Sequence, residues 1–164
     1  METTYNTEDV KNISGARIAI LHARWHAEIT VNMVMACGEV LHKAGVEDLE
    51  VHQVPGALEL PYCAQVLVKE SRNTKNDLDA IICFGALLKG ETLHFEMVSQ
   101  SCFDGLTRVS LDYDIPVINE VIPCFSISQL KNRSGNDKAN KGYEAALAAT
   151  EIIHWRRELR KKEN

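Results

Sequence analysis

The stretch Ala80-Ile81-Ile82-Cys83-Phe84-Gly85-Ala86-Leu87-Leu88-Lys89-Gly90-Glu91-Thr92-Leu93-His94-Phe95 decides the fold. Ala80 to Gly85 is an unbroken apolar run, the pattern of a short strand buried on both faces. From about Thr92 the spacing turns helical, with Phe95, Val98, Cys102, Leu106 and Val109 on one stripe. A buried strand that feeds a helix through a short glycine-flanked connection is the repeating unit of a parallel sheet.

The same unit recurs on either side. Arg17 to His22 reads as a first buried strand. A helix follows from Glu28, with Met33, Cys37, Val40, Leu41 and Ala44 at three- and four-residue spacing and Gly45 ending it. Leu49 to Val54 is a second strand, with Val51 and Val54 as its packing residues. Pro55-Gly56 turns the chain into a helix from about Leu58, which tolerates Pro61 in its first turn. Ser71 to Asp77 is polar and reads as a loop. Beyond the central stretch, Ile115-Pro116-Val117-Ile118 opens a fourth strand. Ser126 to Arg133 is a short helix, and Asn140 to Lys161 a long one carrying Ala145, Ala149, Ile152 and Ile153. This alternation predicts a three-layer α/β/α sandwich around a four-stranded parallel sheet, of the flavodoxin-like type. Ligands of such sheets sit beyond the carboxyl ends of the strands.

Composition narrows the function classes. The chain has 164 residues, of which 45% are apolar and 25% charged, with a net charge of -5. That suits one globular domain and shows no basic stripe for nucleic acid. The basic run Arg156 to Lys162 ends a helical pattern, where cations complement the helix dipole. No apolar run reaches membrane-spanning length. Met1 to Gly15 is polar and lacks a signal-peptide core, so it reads as a flexible arm before a single domain over 16–164. Five scattered cysteines, Cys37, Cys63, Cys83, Cys102 and Cys124, form no C-x-x-C pair. They read as buried reduced thiols of a cytoplasmic protein, with no disulfide frame and no metal site.

Candidate functional residues follow the strands. Gly85 and Gly90 flank the third connection, and the free N–H groups at a helix start attract anions. Lys89 adds positive charge. The same residues also fit a plain helix start capped by Thr92. His94, in the first turn, has the titration range for proton transfer, though a packing role fits it as well. Trp25 follows the first strand, where an indole can stack on a planar heterocycle or anchor the first helix. Glu59 can accept from hydroxyls or complement a helix dipole. Arg133 and Lys141 bracket a polar loop and can meet phosphate oxygens or solvent.

Together these pieces resemble the 6,7-dimethyl-8-ribityllumazine synthases of riboflavin biosynthesis. Three blocks carry the resemblance: Val54-Pro55-Gly56-Ala57-Leu58-Glu59-Leu60-Pro61, Gly85 through Phe95, and the loop from Arg133-x-Gly135 to Asn140-Lys141-Gly142. The match spans about residues 16 to 155. The resemblance implies condensation of 5-amino-6-ribitylamino-uracil with 3,4-dihydroxybutanone 4-phosphate, without metal or redox cofactor. By the same resemblance Glu91 and Thr92 bind phosphate, and Arg133 clamps it from a neighbouring subunit. His94 shuttles protons and Trp25 stacks on the pyrimidine. Ala57, Leu58 and Glu59 line the ribityl pocket, Leu87 and Leu88 flank the ring, and Lys141 adds charge that Glu144 orients. It implies a homo-oligomer built from pentamers, as free pentamer, decamer or 60-subunit icosahedral shell. The fourth strand departs from the family: Asn119-Glu120 stand where many members have Phe-Gly. Asn119 cannot stack on the pyrimidine, so backbone contacts are what it offers. Two other readings fit the departure, a flavin- or lumazine-binding paralogue and a shell-forming scaffold with weak activity.

Overall fold

The computed structural model describes residues 9–162. Strand β1 (Arg17–Ala23) leads to helix α1 (Ala27–Lys43), then β2 (Asp48–Val54) and a 3-10 turn at Ala57–Glu59 that runs into α2 (Leu60–Asn73). Next come β3 (Ala80–Leu88), α3 (His94–Asp112), β4 (Val117–Cys124), α4 (Ile127–Asn132) and α5 (Lys141–Lys162). The four strands form one parallel sheet in the order β2-β1-β3-β4. That order is the flavodoxin-like, doubly wound arrangement. It puts β2 and β4 at the edges and β1 and β3, the most apolar strands, in the centre.

Side chains alternate across each strand, so the sheet separates two cores. Ile18, Ile20, Ile82, Phe84 and Ile122 pack with Met33, Leu41, Ala145, Ala149 and Ile153 of α1 and α5. Ala19, Leu21, Ile81, Cys83 and Val121 pack with Leu60, Val68, Cys102 and Leu106 of α2 and α3. Burying each large aliphatic of these sets contributes about 1.5–3 kcal/mol. The α1–α5 contact is close enough that a Cβ on Gly142 would run into the Met33 carbonyl. Gly45, at φ 88°, closes α1 in the left-handed conformation that glycine adopts without strain.

Several expectations shift. The polar run from Ser71 continues α2 to Asn73, because Ser71 and Thr74 donate their hydroxyls to the carbonyls of Val68 and Glu70 at 2.9 and 3.0 Å. Helix α3 starts at His94, two residues later than its periodicity suggests, with Leu93 as a cap that has no side-chain hydrogen bond. Val54 is buried, but Val51 is exposed on the edge strand β2. Four cysteines are buried while Cys63 is only partly so, and all five are free thiols. Of the segment expected to be an arm, residues 1–8 lie outside the described residues. Ile13 is fully buried and donates its N–H to Ala44 O at 2.9 Å, so packed chain precedes residue 16.

Strand β4 also extends well past Asn119. Lys89 N donates to Cys124 O at 2.9 Å, which fixes the even-numbered residues of β4 as those bonded to β3. The N–H groups of Val117, Asn119 and Val121 therefore point away from the sheet. Val121 N is satisfied by Asn119 Oδ1 at 3.0 Å, and Pro123 has no N–H to expose. This edge is poorly suited to accept a further strand.

Candidate active site

The carboxyl ends of the strands gather most of the residues singled out from the sequence. After β1 the chain turns through Arg24, Trp25 and His26, with His26 held at φ 59° in the left-handed region. Trp25 is 70% exposed, so it does not anchor α1 in the core. His22, near the end of β1, is buried beside Thr30 Oγ1 at 3.4 Å, and burial lowers its pKa. That keeps His22 neutral and inside the fold.

Trp25 meets the segment after β2. A Cβ on Gly56 would lie 3.2 Å from Trp25 Cδ1 and 3.0 Å from Glu59 Oε2. Gly56 has extended backbone, so glycine serves here by letting the indole and the carboxylate approach. Ala57 is buried and Leu58 exposed. A Cβ on Gly85 would meet Val121 at 3.2 Å and Ala57 at 3.6 Å, which draws the turn after β2 against β3 and β4. Cys63, one turn along from Glu59, has its thiol pKa raised by burial and then by the Glu59 charge. It is a poor nucleophile.

The connection after β3 is open. Leu87 is partly buried and Leu88 exposed at the strand's end. Gly90 faces open space, where a Cβ would touch nothing within 4 Å. Among the described residues no partner takes the backbone N–H of Glu91 or Thr92. Thr92 Oγ1 accepts from His94 N at 3.4 Å, a loose cap on α3. The His94 imidazole is exposed and has no hydrogen-bond partner among the described residues. Lys89 is not a free cation, since it pairs with Glu96 and lies 5.3 Å from the Phe95 ring centroid. Phe95 in turn packs at 6.2 Å on Phe125, an exposed ring that follows β4. Sequence reasoning passed over Phe125; its position at a strand's end was the available signal.

A second group lies on the other side of β4. Asn119 pairs in register with Cys83, two rungs short of Gly85, so it is within the strand and not at its tip. Glu120 is opposite Phe84 and faces the α1–α5 layer. There Lys141, the first residue of α5, pairs with Glu144. Burial raises the Glu120 pKa to about 7, opposed by Lys141 and reinforced by Glu144. Asn140 fixes this helix start, accepting from Gly142 N at 2.8 Å and donating to Gly135 O at 2.7 Å. Arg133 closes α4, its guanidinium reaching Gln129 O at 3.1 Å, and its charge counters the burial that raises the Cys124 thiol.

The residues thus fall into two sets. Trp25, Ala57, Leu58, Glu59, Leu87, Leu88, Glu91, Thr92 and His94 belong to the strand tips and the start of α3. Arg133, Lys141 and Glu144 belong to the α4–α5 side of edge strand β4.

The doubly wound parallel sheet, with an open turn at its carboxyl edge, defines a flavodoxin-like α/β protein. A family model for 6,7-dimethyl-8-ribityllumazine synthase matches residues 15–157, and the chain belongs to that family. It is 36% identical over 153 residues to the 6,7-dimethyl-8-ribityllumazine synthase of Stenotrophomonas maltophilia (strain K279a), covering 92% of this chain and 96% of the relative. Identity to the enzyme of the same name from Laribacter hongkongensis (strain HLHK9) is 38%, covering 91% and 92%. For the Kosmotoga olearia (strain ATCC BAA-1733 / DSM 21960 / TBF 19.5.1) enzyme it is 32%, covering 88% and 91%.

Proposed function

We propose that this chain is a transferase of riboflavin biosynthesis that makes 6,7-dimethyl-8-ribityllumazine from 5-amino-6-ribitylamino-uracil and 3,4-dihydroxybutanone 4-phosphate. The observation that carries the assignment of roles is the open Gly90–Leu93 turn beside the exposed His94. Its unpartnered N–H groups at Glu91 and Thr92 suit a phosphate, and His94 is next to them with both ring nitrogens available.

In this reading Glu91 and Thr92 hold the butanone phosphate, and Arg133 clamps it with a guanidinium fork. Trp25 stacks on the pyrimidine between Gly56 and the ring-side residues Leu87 and Leu88. Glu59, with Ala57 and Leu58, receives the ribityl hydroxyls. Holding amine and ketone side by side supplies much of the rate. His94 moves protons as the imine forms, phosphate departs and the ring closes. Lys141 balances the phosphate's charge, and Asn119 offers backbone and amide contacts to the pyrimidine.

The division of these residues between two sides of β4 supports a site completed by a neighbouring subunit. Exposed Tyr62, Leu93, Met97, Leu111 and Phe125 supply apolar surface for such contacts. A homo-oligomer of pentamers follows, either free or assembled further into a decamer or a 60-subunit shell. Light scattering distinguishes these masses. Five free thiols favour a cytoplasmic setting, and no helix among the described residues is long and apolar enough to cross a membrane. Mixing the protein with both substrates and following lumazine fluorescence tests the activity. No product above the uncatalysed rate from correctly assembled protein would reject it.

A further inference from the structure

The Gly90–Leu93 turn has little of its own to fix its shape. Gly90 faces open space, Glu91 and Thr92 are exposed, and Leu93 is 72% exposed. Among the described residues, the turn's one side-chain hydrogen bond is the 3.4 Å contact from His94 N to Thr92 Oγ1. What holds the turn lies at its two ends. Before it, Lys89 gives its backbone N–H to Cys124 O at 2.9 Å. The Lys89 ammonium reaches past the turn to pair with Glu96, and it lies 5.3 Å from the Phe95 ring centroid. Phe95 in turn meets Phe125, with ring centroids 6.2 Å apart and planes tilted by 43°. Phe125 belongs to the connection between β4 and α4 and is 74% exposed, so the core does not require it. Its backbone is nevertheless fixed. Phe125 N donates to Gln129 Oε1 at 2.8 Å, while Gln129 N donates to Ser126 Oγ at 3.4 Å, a reciprocal cap on α4.

We infer that Phe125 is a positioning residue for the turn: its ring braces Phe95 from the β4 side, and Phe95 with Glu96 keeps Lys89 clasped across the two ends. Without the brace, Phe95 is free to turn away from the ammonium. The clasp is then left to a part-exposed Lys89–Glu96 pair, and such pairs hold weakly on their own. A turn held in shape beforehand has less to order when a ligand arrives, so the brace acts on affinity. Phe125 in this way deepens the proposed function, on whose assignment of phosphate to Glu91 and Thr92 its effect on binding rests. The His94 imidazole makes no hydrogen bond to the clasp among the described residues, so its proton transfers do not depend on Phe125.

The test uses the assembled full-length protein and two readouts, with light scattering used to confirm that each variant keeps the wild-type mass. The first is tryptic cleavage after Lys89, quantified by mass spectrometry against cleavage after exposed Lys138. Phe125→Ala raises the ratio about three- to tenfold, the range that one aromatic pair supports, and Phe125→Tyr keeps the wild-type value. Phe95→Ala raises it at least as much, and adding Phe125→Ala to that variant changes nothing further. An unchanged ratio in Phe125→Ala, or two rises that multiply in the double variant, overturns the inference whatever the activity. If Phe125→Ala does not assemble, Phe125→Leu, which keeps the bulk without the ring, is held to the same criteria. The second readout is the KM for butanone phosphate. Phe125→Ala raises it about three- to tenfold, with kcat and the pyrimidine KM within about twofold of the wild type. Raised cleavage with an unchanged KM sustains the brace and overturns the assignment of phosphate to this turn. Raised cleavage in a protein whose wild type makes no product sustains the brace and overturns the assigned activity.

Discussion

The two ends of the sheet are built on opposite principles. At the amino end, arginines tie down the loops that enter the strands. Arg17 donates to Asn76 O, pairs with Asp48 at 3.3 Å and Glu50 at 3.2 Å, gives its backbone N–H to Asp79 Oδ2 at 2.9 Å and accepts from Asp79 N at 2.8 Å. Arg72 donates to Tyr113 O, Arg156 to Asp114 O at 3.1 Å, and Arg157 to Ser14 O at 3.1 Å. At the carboxyl end the corresponding loops leave N–H groups without partners and expose Trp25, Leu93 and Phe125. Buried or loop polar groups without partners cost free energy unless water or a ligand satisfies them. The amino end is therefore tied by its own side chains, while the carboxyl end leaves hydrogen-bonding capacity that, in the proposed function, substrate takes up.

Mutations at the two ends should separate stability from activity. The largest expected effect is on catalysis. Arg133→Ala lowers kcat/KM by about 100- to 1,000-fold, from loss of a charge-assisted fork to phosphate, with the urea midpoint unchanged. His94→Ala costs about 100-fold in kcat, as loss of one general acid–base group does. Arg17→Ala should do the converse. It removes about 3 kcal/mol of stability, because Asp48 and Glu50 lose their partner, and leaves the activity of the folded fraction intact. If Arg17→Ala impaired kcat/KM as much as Arg133→Ala at equal folded fraction, the contrast between the ends would fail.

The sequence made the amino-to-carboxyl polarity of the sheet readable, since apolar strands and striped helices alternate without ambiguity from Arg17 to Asp112. It was less informative where polar residues serve regular structure. Ser71 and Thr74 look like loop residues but back-bond within or at the end of α2. Asn119 and Pro123 look like breaks in a strand, yet on an edge they satisfy or remove outward donors and allow β4 to run to Cys124. The roles of Arg133 and Lys141 came from resemblance and not from periodicity, because a basic residue beside a polar loop has no pattern that distinguishes phosphate from solvent. The division of site residues across β4 depends on which face each strand residue takes, and that required the register.

Glu120 offers an intermediate effect that depends on pH. Its pKa is raised on folding, from 4.5 to about 7, chiefly by burial. Between these values the folded protein retains a proton that the unfolded chain releases. Stability contributed by this group is therefore present below pH 4.5, declines as pH rises through about 7, and stays low above. Glu120→Gln removes that decline. The variant should match the wild type near pH 4 and be more stable by about 2 kcal/mol at pH 8, measured by urea unfolding at both values. A pH-independent difference would mean that the carboxylate is as well solvated in the fold as in the unfolded chain.

The smallest effect concerns Asn119, where one side chain bears on both stability and binding. Phenylalanine at this position can stack on the pyrimidine, which is worth about 0.5–1.5 kcal/mol, so Asn119→Phe should tighten binding of the pyrimidine substrate about three- to tenfold in calorimetry. The same change removes the amide oxygen that accepts from Val121 N, a hydrogen bond worth about 1 kcal/mol on the exposed edge of β4. Stability should therefore fall while affinity rises. Unchanged or weaker binding would mean that Asn119 does not face the pyrimidine of any subunit's site. Tighter binding without loss of stability would mean that water replaces the amide at Val121, and that Asn119 shields an edge which needs no shielding.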